Sequence, residues 1–146
     1  MILSNIAFVN TLINKNSFIE SISSVSRNVV GLIKYIYQET DHSDIKVIFK
    51  NTDIEATITT LEYFVKDIPE KNEIDSLNIA LSNLENILKE LNIILTAIKD
   101  KIKNHDNKYF SSWRSISFKD DINILLSNIH VLNIRFDILV KILKLN

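Results

Sequence analysis

The stretch IDSLNIALSNLENILKELNIILTAIKDKI, residues 74–102, decides the fold class of this chain. Its apolar positions alternate three and four residues apart, at Ile74, Leu77, Leu81, Leu84, Leu88, Leu91, Leu95, Ile98 and Ile102. This spacing lines one face of an α-helix, so the stretch predicts a long amphipathic helix. Ala80, Ile87 and Ile94 form a second stripe that widens the apolar face. Asn72 is expected to cap the start of the helix.

The end of the chain predicts a second long helix. Its main stripe comprises Phe118, Ile122, Leu125, Ile129, Leu132, Phe136, Leu139 and Leu143, and its second stripe comprises Ile124, Val131, Ile138 and Leu145. Ser117 and Asp120 are expected to form a capping pair at its start. Lys141 and Lys144 suit the negative end of its dipole.

Two earlier segments repeat the helical spacing. One contains Phe18, Ile22, Val25, Val29, Leu32 and Ile36, and the other contains Ile54, Ile58, Leu61, Val65 and Ile68. A capping box, Ser17 with Glu20, is expected to open the first. Pro69 ends the second because it lacks an amide donor. That second helix starts either near Ser43 or near Thr52, in the latter case after a short turn over residues 44–50.

The first residues show helical spacing at Ile2, Ile6, Val9 and Ile13 before polar residues 14–16 interrupt the pattern. They predict either a short separate helix or the first half of one long helix. A single Gly and a single Pro leave few tight turns for a β-rich fold. We therefore predict one all-α domain over residues 1–146, an up-down antiparallel bundle of four main helices, or five with the N-terminal piece.

The sequence contains no recognisable catalytic or cofactor-binding motif. The chain has no cysteine, and one glycine cannot build a phosphate-cradling loop. The acidic turn that holds Glu39, Asp41, His42 and Asp44 lacks the spacing of a calcium loop and is interpreted as a solvated connection between helices. We therefore expect no enzymatic activity, no metal and no cofactor.

The charge and hydropathy patterns restrict the partners. A net charge of -1 disfavours nucleic acid, whose phosphates need clustered positive charge. The N-terminus lacks a basic region before its apolar residues, and no apolar run is long enough for a spanning helix. We expect a cytoplasmic protein and leave a peripheral contact with membranes open.

A local basic patch contains Lys99, Lys101, Lys103, Lys108, Arg114 and Lys119. Tyr109, Phe110 and Trp113 are interleaved with it. Lysines and aromatic side chains together predict a site for anionic lipid headgroups or an acidic partner. In the alternative interpretation, the lysines complement a helix C-terminus and the aromatic side chains close one end of the bundle.

Two further features suggest contacts between helices. Gly31 lies inside a predicted helix, where glycine costs about 1 kcal/mol relative to alanine, and is interpreted as a point of close helix–helix approach. The second stripes of the two long helices predict either central positions in the bundle or a face for a partner, including a second copy. Ile79, Ile93, Ile134 and Ile142 lie further around the same helices.

The segments RNVVGLIK (27–34) and ISFKD (116–120) resemble parts of the N-terminal four-helix bundle of mixed-lineage kinase domain-like proteins, which execute necroptosis. The first resembles the second helix of that bundle, and the other resembles the start of its last helix. The resemblance implies that basic residues bind phosphoinositides and that the bundle permeabilises membranes. It would place that role on Lys99 to Lys119. A lone bundle would act as a mimic that interferes with death signalling.

A second resemblance is to the small Bcl-2-like proteins of poxviruses. It rests on size, on a composition rich in Ile and Asn, and on the segment FSSWR (110–114) before a closing helix. The leading hypothesis is a helical interaction module that acts by protein–protein contact in cell-death or innate-immune signalling. The alternatives are a bundle that binds anionic membranes, a Bcl-2-like inhibitor and a structural homo-oligomer.

Overall fold

Five α-helices make up the fold in a computed structural model that describes residues 2–71, 74–107 and 117–145. Side-chain surroundings are described for residues 15–71, 74–105 and 117–145. The helices are α1 (Ile2–Glu39), α2 (Ser43–Thr52), α3 (Ile54–Lys66), α4 (Asp75–Asn107) and α5 (Lys119–Lys144). The described residues contain no strand, and the predicted all-α class is confirmed.

Helix α1 runs without interruption for 38 residues. Of the two alternatives for the N-terminus, the long helix is therefore correct. The capping box at Ser17 is wrong as a helix start, because Ser17 and Glu20 both lie in the helix interior. The polar break at residues 14–16 contains neither Gly nor Pro, so the backbone continues through it.

A single residue separates α2 from α3. Asp53 adopts the left-handed conformation, with φ 49° and ψ 38°, which Asp tolerates better than most residues. Its amide donates to the carbonyl of Lys50, and its carbonyl accepts from the amide of Thr57 at 3.0 Å. Of the two proposed starts, the one near Thr52 is therefore correct for the helix that contains Ile54. The turn expected over residues 44–50 is wrong, because these residues belong to the separate helix α2.

The sequence predicts caps at the starts of α4 and α5. Asn72 lies outside the described residues. At α5 the Ser117–Asp120 cap is wrong, because the N-cap is Phe118 and no side chain caps the helix. Phe118 is buried in the core, so its packing places the helix start one residue later than the capping pattern suggests. Asp120 and Asp121 lie in the first turn, where the helix dipole stabilises negatively charged carboxylates.

Cross-helix pairs establish the directions of α1 and α3. The Ser23 hydroxyl donates to Glu62 at 3.0 Å, and Lys34 approaches Glu55 at 3.6 Å. The sequence number rises along α1 as it falls along α3, so the two helices are antiparallel.

The central pair of the bundle, α1 and α4, runs parallel. Asn28 bonds to Asn92, and about two turns further along each helix the Lys99 ammonium lies over the Tyr35 ring. At the other side of α4, Lys101 pairs with Asp121 and Arg135 donates to the Asn83 carbonyl, so α4 and α5 are antiparallel. In chain order α1, α3, α4 and α5 thus alternate in direction, as in an up-down bundle. The most extensive contact, between α1 and α4, nevertheless joins parallel helices, so the predicted antiparallel packing does not hold for this pair.

One cluster of buried apolar side chains joins all five helices. Helix α4 packs between α1 and α5, and its second stripe of Ala80, Ile87 and Ile94 is buried. Helix α5 packs mainly against α4, at one edge of the bundle, and much of its second stripe is exposed. The same sequence pattern therefore forms core on α4 and surface on α5.

Candidate functional site

Three lysines of the predicted basic patch lie on the last turns of α4. The ammonium groups of Lys99 and Lys103 lie 4.8 Å and 5.6 Å from the centre of the Tyr35 ring on α1. Such cation–π contacts contribute about 0.5–1 kcal/mol at exposed sites. These two lysines therefore connect α4 to α1 while their charges stay near the surface.

Lys101 points instead toward α5. Its ammonium forms a 2.5 Å ion pair with Asp121 and lies 6.0 Å from the centre of the Phe118 ring. The Asp121 side chain is largely buried, and removing Lys101 would leave its carboxylate without this partner. Lys101 thus holds the end of α4 against the start of α5.

The remaining members of the predicted patch are only partly described. Lys119 is exposed in the first turn of α5, near the end of the bundle that holds Lys101. Lys108 and Arg114 lie outside the described residues, as do the aromatic side chains of Tyr109, Phe110 and Trp113. The structure directs Lys99 and Lys103 toward α1 and Lys101 toward α5, so the three lysines share the end of α4 but not one face of it. Their binding of lipid or an acidic partner stays a prediction.

Gly31 does not mark a close approach between helices. It is exposed on α1, and a Cβ atom placed there would meet nothing within 4 Å. The prediction of close packing is therefore wrong. It relied on glycine being scarce in the sequence, which says nothing about what faces that position.

The turn before α2 is built by local contacts. The His42 amide donates to the Thr40 hydroxyl at 3.1 Å, and the His42 ring packs edge-on against Phe118 with centroids 4.9 Å apart. Across the described ranges, no group of three or more His, Asp or Glu side chains is arranged to hold a metal ion. The turn thus joins the start of α2 to the start of α5.

A buried polar group between α1 and α3 was missed by sequence reasoning. Glu62 is buried and accepts a hydrogen bond from Ser23, and Lys66 lies 3.0 Å from the same carboxylate. Arg27 approaches it at 3.6 Å. A charged residue in the apolar run Leu61–Val65 was the available signal, because a buried charge needs partners.

A shallow groove on α3 lacks the features of a catalytic site. It is lined by Asp53, Glu55, Ala56, Thr59 and Thr60. The Thr59 hydroxyl donates to the backbone carbonyl of Glu55 at 2.9 Å, and the groove opens broadly to solvent. A hydroxyl bonded to its own helix, with no neighbouring base, is not an activated nucleophile.

The outer face of α5 is the most distinctive surface of the described chain. It carries large exposed apolar side chains at Ile124 (50% exposed), Ile134 (46%), Ile138 (47%) and Leu145 (85%). Partly buried Val131 continues the row. We call these five residues the α5 stripe. Isolated exposed apolar residues are common on proteins, whereas here several lie in a row along one helix, which makes this face a candidate interaction surface.

The composition of α5 sets it apart from the other described helices. It alone among them is long and apolar enough to cross a membrane, and its best window has mean hydropathy 1.2 with 22% of the window buried. Core helices of water-soluble proteins meet the same criterion, although they are mostly buried. Composition alone therefore does not decide whether α5 crosses a membrane or packs in a water-soluble bundle.

Comparison with known proteins finds a viral relative. An uncharacterised protein of Acanthamoeba polyphaga mimivirus is 31% identical over 113 residues, which cover 76% of this chain and 54% of the viral protein. The chain thus spans about half the length of the curated relative it matches. No protein-family model matches the chain, and no solved structure matches it.

Proposed function

We propose that this chain is a non-enzymatic helical interaction module that binds protein partners through the outer face of α5. One observation carries the proposal. The α5 stripe leaves large apolar side chains in water along a helix whose other face is anchored in the core. Burying apolar surface yields about 25 cal/mol per Å², so covering this row stabilises a complex.

A signalling role is the biological context we propose for this contact. The resemblance of residues 27–34 and 116–120 to necroptotic bundles makes cell-death or innate-immune signalling the first pathway to test. The relative from a mimivirus of Acanthamoeba makes amoebal cells a suitable source of partners. A bundle that covers a partner helix without catalysing a reaction would act as a competitor or mimic.

Site-specific photo-crosslinking tests the proposal. A benzophenone amino acid at position 138 is expected to yield protein adducts in amoebal cells that express the chain. The same probe at position 47 is the control, because Val47 on α2 is about as exposed (51% against 47% for Ile138) but lies outside the α5 stripe. Adducts of equal yield at both positions, or none at position 138, would contradict an α5 contact.

Binding to anionic membranes is a second proposal, in which the chain acts from the cytoplasm as a peripheral protein. Lys99, Lys103 and Lys119 place positive charge at one end of the bundle, and α5 carries an exposed apolar face. Each basic residue near an anionic bilayer is worth about 1 kcal/mol.

Co-sedimentation with liposomes tests that proposal. Vesicles with phosphoinositide should retain the chain better than neutral vesicles, and Lys99→Gln with Lys103→Gln should reduce the retention. Lys101 is kept unchanged because its ion pair with Asp121 supports the fold. Equal retention by both kinds of vesicle would rule out a charge-based lipid site.

A further inference from the structure

The α5 stripe has the repeat of a helix–helix seam. Ile124, Val131, Ile138 and Leu145 are seven residues apart, and Ile134 lies between two of them. A strict repeat of seven keeps one face of a helix turned toward a neighbouring helix along its whole length. The neighbour that this surface fits is therefore another long helix.

The charges at the two ends of α5 indicate which helix that is. The exposed carboxylate of Asp120 lies on the outer face at the start of α5, and Lys141 lies on that face near its end. Two copies of α5 packed antiparallel about Val131 bring Asp120 of each copy beside Lys141 of the other. Parallel packing would instead bring like charges together, which is destabilising.

We propose that the chain associates with a second copy through an antiparallel, two-fold symmetric contact between their α5 helices. This inference deepens the proposed function and rests on it, since the same stripe is used. Such a contact is isologous: each copy offers the same patch, and the chemistry of the patch complements itself. A net charge of -1 raises little repulsion between copies.

The same face fits a membrane less well. Asp120, Asp137 and Lys141 are exposed along α5, and inserting the helix would take these charges out of water. Lys141 already forms an exposed 2.8 Å pair with Asp137 of its own helix. Exposed pairs of this kind are weak, so Lys141 can share its charge with Asp120 of a second copy.

The size of the surface predicts a weak dimer. A helix of 26 residues is roughly 40 Å long, and a stripe about 10 Å wide covers on the order of 400 Å² on each copy. Stable interfaces bury about 800 Å² per partner, so this contact lies at the small end. We expect dissociation constants on the order of 10–100 μM for the purified chain.

Sedimentation of the purified full chain across a concentration series tests the dimer. The mass should rise from one to two copies as the concentration passes this range. Ile138→Ser should weaken the dimer at least tenfold. Ile93→Ser, on the outer face of α4 and 63% exposed, is the matched control and should leave it unchanged. A mass of one copy at 500 μM, or equal effects of both variants, would overturn the inference.

A charge exchange tests the antiparallel arrangement. Asp120→Lys and Lys141→Glu should each weaken the dimer about threefold or more, and the double variant should recover most of that loss. Circular dichroism confirms that the variants stay helical, since Lys141→Glu also affects Asp137. Failure of the double variant to recover would overturn the antiparallel pairing.

The crosslinking experiment separates this inference from the proposed function. Adducts at position 138 with the mass of two copies support both the second-copy inference and the interaction module. Adducts that contain only other proteins, together with a monomeric purified chain, overturn the second-copy inference and leave the interaction module standing. An absence of protein adducts contradicts the module itself.

Discussion

The buried ammonium group of Lys15 on α1 donates a hydrogen bond to the backbone carbonyl of Pro69, 2.8 Å away and 54 residues later in the chain. Lys15 is only 2% exposed, so its aliphatic stem packs inside the bundle as well. Pro69 follows α3, whose C-terminal end carries negative partial charge and favours a cation. The contact fastens α1 to the end of α3.

Replacing Lys15 should therefore cost more than replacing an exposed lysine. Lys15→Ala removes the stem and leaves the Pro69 carbonyl without this donor, and we expect a loss of about 2–4 kcal/mol in the free energy of unfolding. Lys15→Met keeps most of the stem and should lose less. Urea denaturation measures both, with exposed Lys119→Ala as control. Losses of the same size for Lys15→Ala and Lys119→Ala would show that the buried contact contributes nothing.

The buried Glu62 carboxylate yields a second prediction. Glu62→Ala leaves the buried Ser23 hydroxyl without its acceptor, so we expect a loss of about 1–3 kcal/mol. Glu62→Gln retains an acceptor oxygen and should be milder. Exposed Glu90→Ala on α4 should change the free energy of unfolding by less than about 0.5 kcal/mol. Equal denaturation midpoints for the Glu62 and Glu90 variants would be inconsistent with the observed hydrogen bond.

Gly31 should be replaceable with a gain in stability. Its backbone is helical without a positive φ, and a Cβ atom there meets nothing within 4 Å. Gly31→Ala should stabilise the chain by about 0.5–1 kcal/mol, because alanine restricts the unfolded chain and favours helix. Exposed Ala56→Gly on α3 is the reverse control and should destabilise by a similar amount. Destabilisation by Gly31→Ala would reveal a contact at this position that the described side chains do not make.

The pair between Lys101 and Asp121 should couple α4 to α5. Lys101→Met leaves the largely buried Asp121 carboxylate without its cation, whereas Asp121→Asn in the same background removes that charge. Because Lys101 is nearly half exposed, we expect a coupling of only about 1 kcal/mol in a double-mutant cycle. Lys103→Met, beside Tyr35 rather than a carboxylate, should show no coupling to Asp121→Asn. A coupling near zero for Lys101 would mean that its pair with Asp121 does not stabilise the packing of α4 against α5.

The predictable part of the fold was the part that periodicity controls. The spacing of Leu77, Leu88 and Ile98 identified the buried face of α4, because only a helix places those side chains on one side. The break between α2 and α3 could not be located, since it depends on the backbone conformation of Asp53 alone. No glycine marked it in the sequence.

The order in which the helices pack side by side could not be predicted from the sequence either. Ile94 on α4 and Ile138 on α5 occupy equivalent positions in their patterns, yet the first is buried and the second exposed. Burial at such positions depends on whether a helix has neighbours on two sides, and periodicity carries no information about that. The exposed α5 stripe was therefore detectable as a set of residues but not as a surface.

The parallel pairing of α1 with α4 also affects how the chain acquires its structure. Asn28 and Asn92, which bond across this pair, are 64 residues apart. Contacts of such long range form late because the intervening loop must close first. A ribosome adds about 5–20 residues per second, so several seconds pass between the synthesis of α1 and that of α4. During that interval we expect α1 to be covered by α2 and α3, and the nascent chain to expose the apolar face that α4 later fills.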